Sequence, residues 1–147
     1  MNNLSVTNLE QSKLLAKAGL DVSTADFSVL VKMKKENGII IIEESPYPND
    51  TITYNPDIAE NNNFTAAWSL GKLIDMLPSD IVSQYDIDGN EQEDEDGVEY
   101  HLWIEKQYVM YNAIDGRRRF LTSGKNVLEA VVKMVVKLLE EDFALDD

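Results

Sequence analysis

The stretch FSVLVKMKKENGIIII, residues 27–42, decides the fold class. Phe27, Val29, Val31 and Met33 alternate with Ser28, Leu30, Lys32 and Lys34, the two-residue period of a strand. Asn37-Gly38 follows, a dipeptide whose residues both tolerate the positive φ of a tight hairpin turn. The run Ile39–Ile42 then reads as a buried return strand. A hairpin this well marked, met before any helix-strand alternation, points to an antiparallel sheet.

Working outward, the N-terminal side predicts a helix over Thr7–Ala18. Thr7 and Glu10 have capping-box spacing, Leu9, Leu14, Leu15 and Ala18 share a face, and Gly19 supplies a left-handed stop. On the other side, Pro46 and Pro48 argue against regular structure in Ser45–Asp50. Thr51–Tyr54 reads as a short strand and Asn55–Asn63 as a polar loop. Trp68, Leu70, Leu73, Ile74 and Leu77 recur at helical spacing before Pro78, which predicts a second helix over Thr65–Leu77. Further strands are expected at Ile81–Ile87, Tyr100–Ile104, Tyr108–Asn112 and Arg117–Leu121, with turns near Glu105–Gln107 and at Asp115-Gly116. A third helix runs over Asn126–Glu141. Its polar residues Glu129, Lys133, Lys137 and Glu140 form one narrow stripe, so most of its circumference must be buried. The expected architecture is a single α+β domain over residues 1–147, an antiparallel sheet of about five strands packed by three helices.

Composition narrows the function. The 147 residues contain no cysteine, which excludes disulfides, thiolate metal sites and cysteine nucleophiles. The net charge is −14, with seven acids in the loop 86–97 and five in the tail 140–147; the rest of the chain carries only −2. Such charge disfavours nucleic acid and anionic membranes as partners. No window is long and apolar enough for a membrane span, and the polar N-terminal sequence has no signal pattern, so the chain is expected to be cytoplasmic.

Three blocks carry a resemblance. They are Gln11–Leu15 with Gly19-Leu20-Asp21 and Thr24-Ala25-Asp26; Ala67–Pro78 around Trp68-Ser69-Leu70-Gly71; and Asn126–Ala130 continuing to Leu138-Leu139. Together they resemble a family of small uncharacterised proteins encoded by phages and mobile elements of gut anaerobes. The chain departs from that pattern at Ala66, where the family often has Pro, and in the length of its acidic loop. The resemblance implies a phage or mobile-element origin and implies no activity or catalytic residues.

The chemistry-bearing residues are few. Asp86, Asp88 and Asn90 have calcium-loop spacing, but Glu91 stands where a Gly is needed and Gly97 where a bidentate Glu is needed, so no metal site is expected. His101 is the single histidine, and no catalytic set or cofactor motif accompanies it. Arg117-Arg118-Arg119 is the one basic cluster, suited to a phosphate or a partner carboxylate unless neighbouring acids claim it. Trp103 with Tyr111 or Val109 is expected to form an exposed aromatic patch on a second face of the sheet, a candidate interaction surface. The reading is therefore a non-enzymatic interaction or accessory protein with an unknown protein partner. A DNA-mimicking inhibitor and a small enzyme with a non-standard site are the alternatives. The broad apolar surface of the third helix, Val127 to Leu139, further suggests a homodimer.

Overall fold

The computed structural model describes residues 5–53, 64–93 and 96–146. The chain is α+β; among the described residues seven strands form two antiparallel sheets, a three-stranded one of order β2-β1-β3 and a four-stranded one of order β4-β5-β6-β7. It divides into two compact units, residues 1–72 and 73–147, each of which holds one sheet.

In the first unit, α1 (Leu9–Ala18) begins two residues later than its sequence pattern suggests. Asn8, not Thr7, is the cap: its side chain accepts from the Gln11 amide, and the Gln11 side chain accepts from the Asn8 amide. Gly19, at φ 109°, ends the helix, and the Leu20 amide reaches back to the Leu15 carbonyl. Thr7 is instead buried. Its hydroxyl shares a hydrogen bond of 2.7 Å with Ser12 and accepts from the Trp68 amide at 3.0 Å. Trp68 is fully buried and donates its indole N–H to Thr24 in a short 3₁₀ turn, Val22–Thr24.

The hairpin is β1 (Phe27–Glu36) and β2 (Ile39–Pro48), joined through Asn37 and Gly38, both at positive φ. Two expectations fail here. Pro46 and Pro48 lie within β2, because β2 is an edge strand and can spare two amides. Ile39–Ile42 is not buried: all four side chains are exposed, between 38% and 65%. The cause is β3 (Phe64–Ala67), a strand where the sequence suggests the start of a helix. It covers β1 only from Phe27 to Leu30, so the distal half of the hairpin has no third strand beside it. After β2 the chain forms a helical turn, α2 (Asn49–Thr53), and not a strand; Tyr54 and the polar segment 55–63 lie outside the described residues. The second helix is short, α3 (Leu70–Met76), and the division between the units falls within it.

The second unit is a meander of β4 (Asp80–Ser83), β5 (Val98–Glu105), β6 (Tyr108–Asn112) and β7 (Arg118–Ser123), followed by α4 (Val127–Glu140). Asn126 caps α4 by accepting from the Glu129 amide. The helix packs on β6 and β7 and buries Ala130, Val131, Val132, Met134, Val135 and Leu138. Val127, Leu128, Val136 and Leu139 are half-buried, so the apolar strip expected to remain open on this helix is not there. The acidic tail is also tied down. Asp142 turns the chain at φ 61°, Phe143 stacks edge-on against Phe120, and the Asp146 amide bonds to the Met76 carbonyl. Among the described residues no helix is long and apolar enough to cross a membrane.

The two residues at the start of α1 separate a cap from a core bond. Asn8→Ala should cost about 1 kcal/mol, the ordinary value of a cap. Thr7→Val should cost more, about 2–3 kcal/mol, because it leaves the Trp68 amide without its buried acceptor and takes the Thr7 hydroxyl from Ser12. Equilibrium urea unfolding of the two variants measures both; equal losses would contradict the assignment.

Candidate functional site

Three surface features collect the chemistry-bearing residues. The first is the distal β1–β2 ribbon. Every residue from 32 to 44 is exposed, so both of its faces meet solvent. Its register places Met33 beside Ile42, Lys35 beside Ile40, Lys34 beside Ile41 and Glu36 beside Ile39. Lys34 pairs with Glu43 at 3.0 Å. The ribbon carries Lys32, Lys34 and Lys35 against Glu36, Glu43 and Glu44, and is therefore neutral within a chain of −14.

The second is the face of the four-stranded sheet opposite to α4. Strand alternation puts Val82, Glu99, His101, Trp103, Tyr108, Met110 and Leu121 on it, with Trp103, Met110 and Leu121 in one cross-strand row. Trp103 is 58% exposed, as its place in the alternation suggests. Its expected companions are not there. Tyr111 and Val109 point inward and are fully buried, because β6 pairs Met110, not its neighbours, with Trp103. The Tyr111 hydroxyl donates to the Pro78 carbonyl at 2.7 Å, and burial pushes its ionisation well above the ordinary tyrosine value. Beside Trp103 a groove of about 470 Å³ is lined by His101, Asn112, Ala113, Ile114, Gly116 and Arg118. At its edge His101 Nδ1 lies 2.5 Å from Asp80 and 3.8 Å from Glu99. These three residues offer one nitrogen and two carboxylate oxygens within 4.8 Å of one another, the one group among the described residues with donors placed to hold a metal ion. The sequence signal for it was weak, since Asp80 and His101 are joined only by the register of β4 and β5.

The third is the arginine cluster, whose members do not act together. Arg117 pairs with Asp115 of the preceding turn at 2.7 Å and donates to Gln92. Arg118 donates to Asn112 across the strand pair. Arg119 is buried, 8% exposed, and donates to the Ser83 hydroxyl and the Asp86 carbonyl. Neighbouring acids were expected to claim these side chains; among the described residues a carboxylate pairs with Arg117 only. The calcium-like segment is a tight turn in which Asp86 accepts from the Asp88 and Asn90 amides, so its carboxylate is turned onto the backbone.

No family model matches the chain, and no curated protein and no solved structure matches it.

Tyr111 supplies a pH test of the inward face. A neutral phenol is favoured by the folded state, so its contribution is whole below the unfolded tyrosine value near 10 and is lost as pH rises through the higher folded value. Tyr100 is raised in the same direction by burial and shares that dependence. Tyr111→Phe should cost about 1–3 kcal/mol at neutral pH by leaving the Pro78 carbonyl unpaired, and should flatten the alkaline loss of stability. Unfolding midpoints taken from neutral pH to the alkaline limb check both signs.

Proposed function

We propose that the chain is a non-enzymatic interaction protein, an accessory of a phage or mobile element, and that its docking element is the distal β1–β2 ribbon. The observation that carries this reading is the exposure of Met33 and Ile39–Ile42 on a ribbon open on both faces. A two-stranded ribbon is marginally stable in water, and each Ile buried at an interface contributes about 1.5–3 kcal/mol. The outer edge of β2 also leaves its amides and carbonyls unpaired by any neighbouring strand among the described residues, a template for strand addition.

The first partner is a second copy of the chain. Copies that meet at the loop 86–97 or the tail 140–147 bring acidic segments together, whereas the ribbon is neutral. Antiparallel pairing of two β2 edges about a two-fold axis sets the same four isoleucines against each other. The dimer thus forms through the ribbon and not through α4. Trp103 and Ile114 remain as a second apolar surface for an unlike protein partner. The mobile-element origin rests on the resemblance of the three sequence blocks, and the proposed compartment is the cytoplasm. Duplex mimicry gains no support from the open sheet face, where Asp80, Glu99 and Glu105 are interleaved with His101 and Arg118.

Light scattering on the purified protein tests the reading. At micromolar concentration the mass should be twice 16.6 kDa. The variant carrying Ile40→Glu and Ile42→Glu should run at a single-chain mass with an unchanged circular dichroism spectrum. A single-chain mass for the unaltered protein would overturn the pairing.

A further inference from the structure

We propose that the groove over Arg119 binds a small organic carboxylate. The argument starts from the irregularity in β7. Tyr111 pairs with Phe120, but Asn112 pairs with Arg118, so Arg119 is the extra residue of a bulge. In unbroken alternation Arg119 would share the open face with Leu121, which is 42% exposed; it is instead 8% exposed. The bulge turns it inward.

A buried guanidinium keeps its charge and needs compensation. In Arg119, Nε donates to the Ser83 hydroxyl at 3.0 Å and Nη1 to the Asp86 carbonyl at 3.3 Å, both neutral acceptors. The Phe120 ring lies 4.1 Å below the guanidinium carbon. No carboxylate stands within ion-pair distance among the described residues, in a chain with 27 acids. Nη2 has no protein acceptor there either. Because no buried side-chain nitrogen among the described residues lacks a partner, Nη2 keeps contact with solvent. Arg119 lines a groove of about 600 Å³ with Tyr85, Ile87, Phe120, Leu121 and Lys137. Lys137 sits 6.0 Å from the same phenyl ring and is held only by an exposed pair with Glu141 at 3.5 Å. Two cations therefore converge on one apolar floor.

This arrangement selects its ligand. The fixed guanidinium offers a planar fork to a planar anion. Ile87 and Leu121 offer a surface to a short apolar body. Asp88 and Glu141 also line the groove, and with the net charge of −14 they weigh against a dianion such as phosphate. A monoanionic carboxylate with an aliphatic or aromatic tail satisfies all three conditions.

The test is titration of the full chain with hexanoate, hexanol and inorganic phosphate, read by thermal shift and by the ¹⁵N resonance of the Arg119 Nε–H. Hexanoate should give a saturable rise in melting temperature and move that resonance; hexanol and phosphate should not. Lys137→Gln should weaken hexanoate several-fold, and Arg119→Gln, checked for folding by circular dichroism, should abolish its effect. If Arg119→Gln does not fold, Lys137→Gln and the Nε–H resonance decide. No saturable response up to about 10 mM hexanoate, well above a millimolar dissociation constant, would overturn the proposal. An equal response to hexanol, tighter binding of phosphate, or an undiminished response in a folded Arg119→Gln would overturn it as well.

Discussion

The second unit depends on one hydrogen bond, from the Arg119 Nε to the Ser83 hydroxyl at 3.0 Å. Ser83 ends β4 and Arg119 is the second residue of β7, and these strands are the two opposite edges of the four-stranded sheet. A flat sheet would hold those edges about three strand spacings of 4.8 Å apart, beyond the reach of one side chain. The bond therefore requires the sheet to curl until its edges approach, and the bulge at Arg119 is the local device that aims the side chain inward. Curling in turn concentrates Tyr100, Tyr111, Val109 and Phe120 on an inner face that a single helix, α4, helps to close. One extra residue in one strand thus separates three consecutive arginines into three environments: a turn, a strand pair and a buried bridge.

In the first unit the corresponding constraint is the length of β3. It has four residues, and it supports β1 only as far as Leu30. Over that span the sheet has three strands, buried Val29 and Leu30, and a dense polar frame in which Asp26 accepts from both the amide and the hydroxyl of Ser69. Beyond Leu30 the hairpin continues with two strands and no cover. The same β1 is therefore a core strand at its base and a free arm at its tip. The change follows from where its neighbour stops, with no matching change in its own apolar pattern.

This explains what could and could not be read from residue order. The alternation in residues 27–33, the Asn37-Gly38 turn, the Gly19 stop and the narrow polar stripe of α4 are local signals, and each marks its element correctly. Burial is not local. A run of four isoleucines looks like core from its composition, yet its exposure depends on a strand 22 or more residues away. Phe64–Ala67 adjoins a genuine helical repeat, so its strand identity was hidden until its pairing with β1 was known. Trp103 was legible because its strand alternates cleanly, whereas Tyr111 was placed on the wrong face because its cross-strand partner, Leu102, is fixed by register. Nothing in an Arg-Arg-Arg run announces which member occupies a bulge.

The charge distribution ties the two units to a common logic. The Asp86 carboxylate organises a turn, Asp142 and Asp146 lie in a tail tied back to the body, and the Asp80 carboxylate bonds to His101. These acids serve local structure, and the net −14, concentrated in the loop 86–97 and the tail 140–147, makes those segments repulsive towards other copies and towards polyanions. Repulsion of that kind fades beyond ~8 Å at physiological salt, so it does not forbid contact but ranks the surfaces at close range. The surfaces it ranks first are those where apolar area coincides with local neutrality or a free cation. The ribbon meets the first condition, with three lysines matching three glutamates around exposed isoleucines. The Arg119 groove meets the second, with a guanidinium held in place by neutral acceptors. In the proposed reading, the acidic loop and tail leave association to the ribbon and ligand binding to the Arg119 groove, where apolar area stands apart from their charge.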